Sequence, residues 1–174
     1  ETKYVLDYFK VESPRMIKNV EEGQEVILVD HNEFQQSADG IEKATITSVV
    51  DHHRIANFST AEALFYHAEP VGCTATILYR VSKMNKMEIE PKMAGLMLSA
   101  IISDTLLFKS PTCTEVDKKI AEELAKILNI DINKYGLDML KAGTDLDDLT
   151  EEELISLDAK KMEKNGVKVI INQV

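Results

Sequence analysis

Val-Ile-Leu-Val-Asp-His-Asn (26–32) and Ser-Val-Val-Asp-His-His (48–53) decide how this chain is read. Each is a short apolar, β-branched run that closes on Asp-His. A buried parallel strand brings polar side chains to the rim of an α/β sheet in this way, at its carboxyl end. Asp30 and Asp51 stand 21 positions apart, about one strand-to-strand crossover. Both Asp-His groups are therefore expected at the carboxyl edge of neighbouring strands, with the chemistry between them.

Helix and strand signals alternate on either side. Tyr4, Val5, Tyr8 and Phe9 predict a short helix. Residues 26–29 and 45–50 predict strands, and Gly40 turns the chain between them. Apolar residues at helical spacing from Gly72 to Met84 predict a second helix. Pro91 suits the first turn of a third, which runs through Met93, Leu96, Met97, Leu98, Ile101 and Ile102. Thr114 with Asp117 forms a capping box for a helix over Glu115–Leu128. A second box, Thr150 with Glu153, opens a helix to about Met162, and a strand-like run, Val167-Lys168-Val169-Ile170-Ile171, follows. Strands alternating with helices give an α/β fold, an open, mostly parallel sheet with helices on both faces.

The chain has 174 residues, 44% hydrophobic and 29% charged, which suits one ordinary globular domain. Its net charge of −10 argues against a nucleic-acid partner, which would select a basic stripe. An anionic substrate would have to be met by bound cations. Cys73 and Cys113 form no CxxC pair, which reads as a reducing, cytoplasmic compartment. No stretch approaches the length of a membrane span, so no membrane partner is expected. The chain begins at Glu1-Thr2-Lys3 and stops inside a strand-like run, so a segment of a longer protein is expected.

Three side chains carry the metal reading. Asp30 follows the first strand, where an isolated Asp is as readily a turn carboxylate. His52 and His53 are consecutive, and just beyond a strand one imidazole can bind metal while the other reaches a substrate. Asp104 leaves a helix that is apolar nearly all round, where a carboxylate is costly unless paired, hydrogen-bonded or metal-bound. Two aspartates and a histidine suit Mn or Mg better than a structural Zn, which prefers thiolates. Cys73 and Cys113 read as core or helix-end residues. The helix start after Gly72 offers free amides to a phosphate, and Lys109 could place an ammonium near the rim. His31 and His67 read as surface or supporting residues, and the acidic run 145–153 as a solvated loop and helix cap.

These residues carry a resemblance. Val-Asp-His-His-Arg-Ile-Ala-Asn-Phe (50–58) resembles the signature of the DHH phosphoesterase superfamily, specifically its family II, manganese-dependent inorganic pyrophosphatases. Three stretches support the narrower likeness: Ile-Leu-Val-Asp-His-Asn-Glu (27–33), Glu-Pro-Val-Gly-Cys-Thr-Ala-Thr (69–76) and Ser-Ala-Ile-Ile-Ser-Asp-Thr-Leu-Leu-Phe-Lys-Ser-Pro-Thr (99–112). It extends through Tyr-Gly-Leu-Asp-Met-Leu-Lys-Ala-Gly (135–143). The resemblance implies hydrolysis of pyrophosphate by a water activated between two or more Mn2+ ions, with Co2+ or Mg2+ as substitutes. It implies that Asp30 bridges two metals and that His52 and Asp104 complete the second metal's ligands. His53 would contact the phosphate and assist proton handling, with Asp51 orienting an imidazole. A homodimer formed through this domain is implied as well.

The family's His-x-x-x-Asp-x-Asp strand and its Lys- and Arg-bearing second domain have no counterpart here. Residues 1–160 are accordingly expected to be a partial DHH-type catalytic domain. Residues 161–174 would be its final strand and the start of a connection onward, and this piece alone is expected to be inactive. Two other readings stay open: a DHH phosphodiesterase acting on small nucleotides, and a non-catalytic metal-binding or dimerising remnant.

Overall fold

The computed structural model describes residues 1–143, 160–164 and 167–171. The chain opens with helix α1 (Thr2–Phe9) and enters strands β1 (Glu25–Val29), β2 (Thr45–Asp51) and β3 (Phe65–Ala68). Helices α2 (Thr74–Met84), α3 (Pro91–Asp104), α4 (Glu115–Leu128) and α5 (Ile132–Gly143) follow. Strands β4 (Lys160–Lys164) and β5 (Val167–Ile171) then pair antiparallel, Lys160 opposite Ile171. The helix expected from Thr150 lies outside the described residues, except that positions 160–162 belong to β4. The acidic run 145–153 also lies outside them.

The expected α/β class with an open parallel sheet holds. The strand order is β1-β2-β3, and both pairings are parallel. Val29 sits opposite Val50, which brings the two Asp-His groups to the same edge of the sheet. On one face Leu28, Ile46 and Val49 are buried. Phe34, Phe58 and Tyr66 pack there, together with Ile41 from a short 3₁₀ turn, Ile41–Lys43. The covering on this face is thus 3₁₀ helix and loop.

The larger core belongs to the helices. α3 is apolar nearly all round because α1, α2, α4 and α5 all pack on it. Leu98, Ile101 and Ile102 on α3 meet Ala121 and Leu124 on α4 with no solvent exposure. Burying one such side chain contributes about 1.5–3 kcal/mol, so this bundle holds the rim of the sheet in place. Gly95 admits the Phe9 ring so closely that a Cβ there would overlap it.

α3 ends at Asp104 in a left-handed turn. Leu106, Leu107 and Phe108 have φ of 47°, 51° and 67°. The Leu107 N–H returns to the Ile102 carbonyl at 2.9 Å, satisfying a helix-end acceptor. Such backbone costs about 1–2 kcal/mol per L-residue, and the burial of Leu107 in the helical core offsets it.

Candidate metal centre

Asp30 leaves β1 with φ of 67°, in the left-handed region. Its N–H still donates to the Val50 carbonyl at 3.0 Å, so strand pairing persists up to the turn itself. Aspartate tolerates this backbone better than most side chains. The turn leaves the Asp30 side chain 53% exposed, with Oδ1 3.5 Å from His52 Nε2.

His52 is held from behind. Its Nδ1 lies 2.9 Å from the Val71 carbonyl oxygen. A carbonyl only accepts, so Nδ1 carries the proton and Nε2 presents a lone pair toward Asp30. The ring is 13% exposed. It has little freedom to turn away.

Asp51 is completely buried. Its Oδ1 accepts the backbone N–H of His52 at 2.8 Å, that of His53 at 3.1 Å, and the Nδ1–H of His53 at 2.8 Å. Its Oδ2 accepts an N–H of Asn32 at 2.7 Å. Burial alone pushes this carboxyl group's pKa up. The hydrogen bonds from Asn32 and His53 outweigh it and hold Asp51 below the ordinary carboxylate range. Asp51 therefore stays ionised and fixes the ring of His53, whose Nε2 is left for other partners. The His53 side chain is 52% exposed, and its ring centroid lies 4.1 Å from that of His52.

Asp30, His52 and His53 each offer one ligating atom, and these atoms lie within 4.8 Å of one another. Among the described residues no other group of three meets that spacing. Asp104 closes no such triad with Asp30 and His52. It lies beside them, on the wall of a groove of about 390 Å³ shared with Asp30, Cys73, Val29, Leu96 and Ser103. Desolvation raises the Asp104 pKa, a hydrogen bond with Cys73 lowers it, the charge of Asp30 raises it, and His52 and His53 lower it. The net shift is upward. The two carboxylates feel each other's charge, and a cation between them would relieve it.

The donor set suits a divalent ion of the manganese type, since it combines carboxylate oxygen with imidazole nitrogen. Thiolate coordination does not fit. Cys73 is buried, and desolvation followed by the charge and hydrogen bond of Asp104 pushes its thiol well above the ordinary range. Its sulfur caps α2 instead, accepting the Ala75 N–H at 3.3 Å, which agrees with its reading as a helix-end residue. At the helix start where amides were expected to face a phosphate, the Gly72 N–H donates to Asp117 at 2.9 Å and that of Ala75 to the Cys73 sulfur at 3.3 Å.

The remaining candidates take supporting or surface positions. His31 bridges the Val29 carbonyl at 3.0 Å and the Ser37 hydroxyl at 2.8 Å. His67 pairs with Glu69 at 2.8 Å, and Arg80 pairs with the same carboxylate. Lys109 is exposed in the segment beyond α3. Two supporting roles went unread in the sequence. Asn32, 1% exposed, donates to Asp51 and to the Arg54 carbonyl at 2.9 Å and accepts the Ala56 N–H at 3.0 Å. Asp117, read as a helix cap alone, also reaches across to the loop before α2. An Asn two positions after an Asp-His strand end was the one available signal for the first; the second had none.

With this geometry established, three likenesses bear on it. The DHH family, N-terminal domain, matches residues 2–101. The probable manganese-dependent inorganic pyrophosphatase of Exiguobacterium sp. is 63% identical over 175 residues, covering all of this chain and 57% of the relative. The manganese-dependent inorganic pyrophosphatase of Bacillus subtilis is 61% identical over 175 residues, with the same coverage. A crystal structure of a candidate family II inorganic pyrophosphatase from Methanococcus jannaschii superposes with a TM-score of 0.82 at 43% identity. That likeness covers 99% of this chain and 59% of the archaeal one. The chain thus spans 57% of the length of the curated relatives named here.

Proposed function

The chain belongs to the DHH family, and on that premise we propose that it is part of a manganese-dependent enzyme hydrolysing inorganic pyrophosphate to two phosphates. The observation that carries this reading is the convergence of Asp30, His52 and His53 at the carboxyl edge of β1 and β2, with Asp104 beside them. Names of relatives at 61% and 63% identity supply the substrate and the metal. Residues 1–160 serve as a partial catalytic domain, and residues 161–174 lead out of it.

Asp30, His52 and Asp104 would hold manganese. The bound metal supplies positive charge to the phosphate oxygens and acidity to a water. The protein's own residues do the positioning. Val71 fixes the proton of His52 on Nδ1 and leaves Nε2 for the metal. Asp51 holds the His53 ring so that its exposed edge can contact a phosphate and carry a proton. An acidic chain thereby handles a polyanion through recruited cations. Cytoplasmic residence and a homodimer accompany this reading, and the described helices include none long and apolar enough to cross a membrane.

Phosphate release from pyrophosphate, measured with Mn2+ on the whole protein and on Asp104→Ala, tests the assignment. The variant is expected to lose at least about 100-fold, more than the loss of a residue that only supports a ligand. Equal rates would remove Asp104 from the site, and cleavage of a dinucleotide with pyrophosphate spared would assign a phosphodiesterase. The 174-residue chain by itself is expected to turn over no pyrophosphate, because it carries few ligands for a second metal.

A further inference from the structure

We infer that Asp117, on α4, is a positioning residue for His52 and acts through the single peptide bond between Val71 and Gly72. This rests on His52 being a metal ligand as proposed above. The Gly72 N–H donates to Asp117 Oδ2 at 2.9 Å. The carbonyl at the other end of the same peptide unit, that of Val71, accepts the Nδ1–H of His52 at 2.9 Å. A peptide unit is planar and rigid, so anchoring its N–H fixes the direction of its C=O. Asp117 therefore sets the angle at which the imidazole is held, although 41 positions separate it from Thr76, its other partner on the α2 side.

The anchor is well made. Asp117 has no exposed surface. Its Oδ1 accepts the Thr76 hydroxyl at 2.5 Å, and its Oδ2 accepts the Thr114 N–H at 2.8 Å and the Thr114 hydroxyl at 2.6 Å. Every partner donates to it, so an ionised carboxylate satisfies the site fully and the amide of an Asn would fit it less well. The approach is also tight. A Cβ on Gly72 would come within 2.9 Å of Asp117 Oδ2 and 2.8 Å of Thr105 Cγ2, so only glycine lets the peptide reach the carboxylate. A negative charge on the N–H side polarises the peptide and makes the Val71 oxygen a stronger acceptor. The His52 ring is held more firmly with Nδ1–H on Val71 and Nε2 outward, the usual role of a partner behind a metal-binding histidine.

Two measurements on the protein test this. Imidazole 15N shifts of His52, recorded without metal, report which ring nitrogen is protonated, and equilibrium dialysis against Mn2+ reports affinity. Asp117→Asn is expected to shift His52 away from its Nδ1–H form and to weaken Mn2+ binding by about 10- to 100-fold, with His31 shifts unchanged. Thr76→Val, which removes one donor and keeps the shape, should do the same more weakly, and Thr76→Ser should restore both. It also decides the matter if Asp117→Asn fails to fold. Unchanged His52 tautomer and Mn2+ affinity in a folded Asp117→Asn or Thr76→Val protein would overturn the inference and leave the metal reading intact. Mn2+ that leaves the His52 signals of the unaltered protein unperturbed would overturn the metal reading itself, and this inference with it.

Discussion

The two Asp-His groups share a local sequence and have opposite fates. At the end of β1 the aspartate turns outward through a left-handed residue and lies half in solvent. At the end of β2 the aspartate turns inward, is sealed off, and accepts four hydrogen bonds. Their histidines are reversed in the same sense. His31 spends both ring nitrogens on the protein, whereas His52 and His53 each keep Nε2 for a partner. A rim that binds a cation needs ligands whose charge is uncommitted and supports whose charge is fully committed. The first group supplies an exposed carboxylate and a histidine tied to the protein; the second supplies a buried carboxylate and two outward histidines.

This contrast can be broken or sharpened by mutation. The largest effect is expected for Asp51→Ala, which strands the donors of Asn32, His52 and His53. It should cost at least about 3 kcal/mol in urea unfolding. A loss under 1 kcal/mol would show that the buried carboxylate supports little. Asp30→Gly should leave stability within about 0.5 kcal/mol, since glycine is at ease at this backbone angle, yet reduce Mn2+ affinity at least about 100-fold. Unchanged affinity would dissolve the distinction between the two aspartates.

Acidity separates Asp51 from Asp104. The Asp51 pKa is depressed on folding, so its contribution is complete above the unfolded value near 3.8 and is lost as the pH falls through the folded value. Asp51→Asn should accordingly cost about 1–3 kcal/mol at pH 7, and the gap to the unaltered protein should close in acid. Asp104 runs the other way, because its folded pKa is raised. Its ionised form opposes folding above that value, so Asp104→Asn should slightly stabilise the metal-free protein at pH 7, with the gain vanishing at low pH. A less stable Asp104→Asn at pH 7 would mean the carboxylate is not crowded by its neighbours.

Much of the frame was legible because it is local. β1 and β2 announce themselves by β-branched runs, and the Thr114–Asp117 box marks the start of α4 to the residue. β3 went unread. Four residues, two of them aromatic, carry no clear alternation, and the strand exists because β2 offers it an edge. α5 entered only through family likeness, although Tyr135 and Met139 lie buried one turn apart. The place of Asp30 and His52 at the rim was read from their positions, but their supports were not. His52 leans on a main-chain carbonyl 19 residues away, and any residue type supplies a carbonyl. Asp104 was expected inside the cluster and stands at its side, since sequence gives the helix that carries a carboxylate but not the angle at which it arrives.

The left-handed turn at Asp30 also shapes which genetic changes are tolerated there. Asparagine and glycine are the other side chains comfortable in that backbone, and both are one nucleotide away from aspartate codons. On the proposed metal reading, random mutation at this codon should therefore yield proteins that fold, express and pass quality control while lacking a working rim. A screen that scores abundance would count them as healthy, and one that scores turnover would find them first.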